Sequence, residues 1–85
     1  METFEELYKK AVLISIKDIS KREDIIERAL KAMGADKMDD YDAVKKALEW
    51  QLTPLLNEGY IERTERAYYR LTAKGETQVN LYRLG

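Results

Sequence analysis

The sequence contains no cysteine and no histidine, and these two absences remove most of the chemistry a small domain can carry. Disulfides are excluded, as are zinc sites of the usual Cys/His kind, Cys or His nucleophiles and the Ser-His-Asp triad. The lack of cysteine suits a cytoplasmic protein. There is one proline, and the four glycines are isolated at Gly34, Gly59, Gly75 and Gly85, so no glycine-rich phosphate loop occurs. Repeats and low-complexity stretches are also missing. The longest apolar run, Ala11 to Ile16, is interrupted by Ser15 and falls far short of the roughly 20 residues that cross a bilayer. The acidic N-terminus lacks the basic and then apolar segments of a signal peptide. An excess of positive charge is the last absence: 15 Lys and Arg face 16 Asp and Glu, for a net charge of −1. DNA affinity comes largely from phosphate neutralisation, and a dedicated DNA-binding domain of this size is usually basic. Segregation of the basic residues onto one face would still permit it.

What is present is enough for one folded unit. Eighty-five residues, 45 % of them apolar and 36 % charged, describe a single domain over 1–85 with one packed core and a solvated surface. Asp36, Asp39, Asp40 and Asp42 form the one dense acidic cluster. Their spacing does not match a calcium loop and helix capping accounts for at least one, so neither a metal nor another cofactor is expected. With so little chain to spare for a substrate pocket, an enzyme is not expected either.

Thr3-Phe4-Glu5-Glu6 has the form of a capping box, and Leu7, Tyr8, Ala11, Val12, Ser15 and Ile16 then recur at helical steps, which predicts a first helix over 3–17. Leu13 and Ile14 widen its apolar arc. They meet either the last helix or a second subunit. Asp18 and Ile19 suit a short edge strand. Ser20-Lys21-Arg22-Glu23 reads as a second capping box, opening a second helix at Lys21 that buries Ile25, Ile26, Ala29, Leu30 and Met33 before Gly34. A loop follows, with Met38 against the core. Asp39 or Asp40 then caps a third helix that runs to Asn57, and Pro54 should bend it by removing the hydrogen bond to the Trp50 carbonyl. At 100° per residue its polar face carries Asp42, Lys45, Lys46, Glu49, Thr53 and Asn57. The apolar arc runs from Trp50 through Ala43, Pro54, Ala47, Val44, Leu55 and Leu48 to Leu52. Trp50 is either core filler or an exposed anchor for a partner.

The period then changes twice. Gly59 stops the helix, Tyr60 to Thr64 and Tyr68 to Thr72 are aromatic and β-branched runs that pair as a hairpin around Glu65-Arg66-Ala67, and Thr72 caps a last helix carrying Val79, Leu81, Tyr82 and Leu84. The run Leu55, Leu56, Gly59, Tyr60, Ile61 followed by Tyr69, Leu71, Thr72, Lys74, Gly75 resembles the winged helix-turn-helix superfamily. That resemblance implies an α+β winged helix in the order helix, strand, helix, helix, strand, strand, helix, with a short three-stranded antiparallel wing sheet.

It also implies a function: a DNA-binding protein, acting as a homodimeric transcription regulator. In such a protein Lys45, Lys46, Thr53 and Asn57 face the groove of double-stranded DNA, while Arg63, Arg66 and Arg70 hold the backbone. The alternative is a winged-helix protein-interaction or assembly module that binds no DNA and uses Leu13, Trp50, Leu81 and Tyr82 as its partner or dimer surface. The acidic balance favours the alternative, and the resemblance favours DNA.

Overall fold

A computed structural model describes residues 3–35 and 39–84. Met38 and Asp36, to which the sequence assigns a core contact and a place in the acidic cluster, lie outside the described residues. The elements are α1 (Phe4–Ile14), β1 (Ser20–Lys21), α2 (Arg22–Ala32), α3 (Tyr41–Trp50), α4 (Leu52–Asn57), β2 (Ile61–Glu65), β3 (Tyr68–Leu71) and α5 (Ala73–Leu84). The architecture is α+β, with helices packed on one three-stranded antiparallel sheet of order β1-β3-β2.

Helix α1 opens as its sequence demands, the Glu6 amide donating to Thr3 Oγ1 at 3.2 Å. It closes three residues before the expected end at Lys17, where buried Ser15 turns its hydroxyl back onto the Ala11 carbonyl at 2.6 Å. A serine bonded this way competes with continuation of the helix.

The second capping box does not form. Ser20 Oγ instead closes the preceding loop on itself, accepting from the Lys17 amide at 3.1 Å and donating to the Lys17 carbonyl at 2.7 Å. Arg28 Nη1 then reaches both Ser20 Oγ at 3.2 Å and the Ser15 carbonyl at 3.1 Å, so α2 holds this loop in place. Lys21 is left at the N-cap with no side-chain cap. The edge strand moves with it: Ser20 and Lys21 pair with Tyr69 and Tyr68, while Asp18 takes φ 49° and Ile19 is exposed.

The expected third helix is two segments, giving five α-helical segments among the described residues in place of four. Pro54 has no N–H to offer the Trp50 carbonyl, and the chain divides one residue later, at Gln51. The Gln51 amide tightens onto the Leu48 carbonyl at 3.1 Å, and its own carbonyl accepts from Leu55 at 3.1 Å, so the hydrogen-bond ladder is interrupted while Gln51 keeps helical dihedrals. Asp40 occupies the N-cap of α3 without a side-chain cap bond.

Gly59 ends α4 at φ 81°, and the Tyr60 amide closes the end by donating to Leu55 at 3.0 Å. In the hairpin, Glu65 joins β2, the turn narrows to Arg66 and Ala67, and the register slips between Arg63 and Glu65. Thr72 joins hairpin to helix: its hydroxyl donates to the Gly59 carbonyl and accepts from the Gly75 amide at 3.2 Å. Thr72→Val keeps the shape and removes both bonds. It should cost about 1–2 kcal/mol in urea denaturation, and an unchanged midpoint would show that the hydroxyl contributes nothing.

The core lies between the helices and the inner face of the sheet. Leu13, Ile25, Leu48, Leu55 and Ile61 are its largest fully enclosed side chains, with Tyr69 and Val79 closing the sheet and α5 sides.

Candidate functional site

Arg22, the first residue of α2, joins three elements on one side of the molecule. Its amide donates to the Ala67 carbonyl in the hairpin turn at 2.8 Å. Its guanidinium donates to Glu49 Oε2 on α3 at 3.1 Å. The hairpin turn, the start of α2 and the last turn of α3 therefore share one surface. The pair also neutralises Glu49, one of the two carboxylates that oppose an approach of α3 to phosphate, and holds it half-buried between α2 and α3. Beside it an open cleft of about 510 Å³ runs between the two helices, floored by Ile26 and Leu30 and rimmed by Tyr41 and Lys45.

The outer face of α3 and α4 is shaped by what the core takes. Val44, Leu48, Leu52 and Leu55 point inward, which leaves Lys45, Lys46, Thr53 and Asn57 exposed as the spacing predicts. Within the expected apolar arc, Trp50 is 74 % exposed, and Ala43 and Pro54 beside it are exposed too. The indole is an outward group, not core filler. Among the described residues Lys45, Lys46 and Arg66 make no ion pair. Asp39, Asp40 and Asp42 are exposed at the first turn of α3, so the least negative part of this face is its middle and far end, from Lys46 to Asn57.

The other expected contacts separate. Arg63 is exposed, with its guanidinium carbon 5.7 Å from the Tyr69 ring centroid. Arg70 is paired across the strands with Glu62, opening on a small recess shared with Asp18 and Glu76. Arg70 thus makes one ion pair, whereas Arg66 makes none among the described residues. Leu13 is corrected outright: at 0 % exposure it is core and cannot form a partner surface. Leu81 is 55 % exposed on α5. Tyr82 is half-buried against α1, with Lys10 Nζ 5.6 Å from its ring, and burial pushes its phenol above the ordinary value.

The sequence alone missed Arg22. The available signal was its position two residues after Ser20 at the head of a helix, but the capping-box reading absorbed it. Among the described residues no group of three or more acidic side chains is placed to hold a metal ion, and no helix is long and apolar enough to cross a membrane. No protein-family model, no curated protein and no solved structure matches the chain.

Proposed function

We propose that this chain is a winged-helix domain that binds double-stranded DNA and acts as a homodimeric transcription regulator. The observation that carries the reading is the Arg22 bridge, which puts the hairpin turn and α3 on one surface while cancelling the charge of Glu49. That surface offers Lys46, Thr53 and Asn57 to base edges and Arg66 to the backbone, with Lys45 at its edge. The acidic first turn of α3 directs the approach through the middle of the helix, because carboxylates pressed against phosphates would be repelled. Exposed Phe4, Leu81 and Leu84 on α1 and α5 supply apolar area for pairing two copies, so that two such faces would meet neighbouring turns of a duplex.

The test is fluorescence anisotropy of a labelled mixed-sequence duplex at low and physiological salt. Binding should weaken steeply as salt rises. Lys46→Ala combined with Arg66→Ala should weaken it further, and loss of the Arg66 phosphate contact should reduce the salt slope by about 0.9. Unchanged affinity and slope in the double variant would remove those two side chains from the interface.

The second reading, a protein-interaction module, is favoured by the exposure of Trp50 beside Ala43 and Pro54. Absence of DNA binding even at low salt would leave that reading in its place.

A further inference from the structure

We infer that Trp50 is a specificity residue that reads the C5-methyl group of thymine in the major groove, which makes the preferred ligand a thymine-containing duplex. The inference rests on the DNA-binding reading and extends it to what the surface selects.

A polar helix face reads bases by hydrogen bonds, and Lys46, Thr53 and Asn57 can do so. The outer face here has a second component. Trp50 lies within one turn of both Lys46 and Thr53, and Pro54 follows one turn beyond it. Ala43 lies two turns earlier on the same side. The result is an exposed apolar stripe, Ala43, Trp50 and Pro54, set directly beside Lys46, which makes no ion pair among the described residues.

The flanking charge decides what such a stripe meets. Lys46 beside it and Arg66 on the shared surface match a groove walled by phosphates, whereas an apolar protein patch would have to desolvate Lys46 without compensation. In the major groove one group is apolar, the methyl at C5 of thymine. An α-helix with its side chains is about 10–12 Å across and the groove about 12 Å wide. An indole standing out from the helix at 74 % exposure is therefore carried to the groove floor as the helix seats. The methyl then leaves water against the ring, and the selectivity should be apolar in origin.

The experiment compares two duplexes of one sequence, the second carrying deoxyuridine at every thymine so that only the C5-methyl groups are removed. Anisotropy titrations at low salt should show weaker binding to the uracil duplex, by about fourfold for each methyl the indole covers, from about 0.8 kcal/mol per buried methyl-sized group. Both duplexes should give the same salt slope, because the phosphates are unchanged. Trp50→Ala should bind the two duplexes equally while keeping that slope. Trp50 is the one tryptophan in the chain, so its emission should change more on adding the thymine duplex than the uracil duplex.

Equal affinity of the wild-type chain for both duplexes, with normal salt dependence, overturns the inference and leaves the DNA reading standing. A thymine preference that survives in Trp50→Ala overturns it too, by moving the selectivity elsewhere. No binding to either duplex at low salt overturns the inference together with the reading beneath it.

Discussion

Gly75→Ala should destabilise the domain by about 3 kcal/mol, enough to remove a large part of the stability of a chain this size. Gly75 lies in the first turn of α5, where the backbone crosses directly over Tyr60. A Cβ there would overlap the Tyr60 carbonyl oxygen and come within 3.0 Å of its carbon and 3.1 Å of Leu71 Cδ2. Alanine is the better helix former by about 1 kcal/mol, but that gain is smaller than the cost of displacing backbone. The Tyr60 carbonyl cannot swing aside freely either, because it accepts from the Thr72 amide at 3.1 Å. Relief has to come from lifting α5 off the base of the hairpin, which also pulls Val79 from the core. Urea denaturation measures the loss, and a change below about 1 kcal/mol would mean that the close crossing is not maintained in solution.

The second large effect comes from a contrast between two residues two positions apart. Leu48→Ala should cost about 2–5 kcal/mol, since Leu48 is fully enclosed and its removal leaves a cavity that helices on several sides cannot close. Trp50→Ala removes a larger side chain and should cost less than about 1 kcal/mol, because most of the indole is already in water. Volume deleted and stability lost therefore run in opposite order. Thermal or urea unfolding of the two variants measures this directly, and a Trp50→Ala loss equal to that of Leu48→Ala would place the indole in the core. The same pair separates fold from function: Leu48→Ala should lose binding through unfolding, whereas Trp50→Ala should alter selectivity in a folded chain.

Elements fixed by local chemistry were readable in the sequence. Gly59 and Thr72 do what their residue types imply, Thr3 caps α1 through its hydroxyl, and the runs around Arg66 and Ala67 do pair. The buried faces of α2 and the hairpin follow their periodicity, Ile25, Ile26, Ala29 and Leu30 inside, and Ile61 and Tyr69 inside. The failures occur where a partner outside the expected motif takes up the residue. Ser20 has the right spacing for an N-cap, but Arg28, eight residues on, and the Lys17 backbone engage its hydroxyl first. Leu13 and Trp50 each sit at an edge of a wide apolar arc, where periodicity places a residue but not its cover. One is buried and the other exposed, and only the packing of neighbouring elements decides which. The candidate surface divides similarly. Its lysines were legible from helical spacing, whereas Arg22 enters through contacts with Ala67 and Glu49, both far away in the chain.

The sheet order carries a consequence for how the chain reaches this state. Strand β1, near the beginning, pairs with β3, near the end, and β2 pairs with β3 on its other side. During synthesis, α1, β1, α2 and α3 all leave the ribosome before the strand that β1 needs. Ser20 and Lys21 must wait, while the β2-β3 hairpin can close within microseconds of its own emergence. Joining β1 to that hairpin requires closing a loop of most of the chain and should form a late part of the folding barrier. Because β1 has only two residues, the waiting edge is too short to template association with another nascent chain.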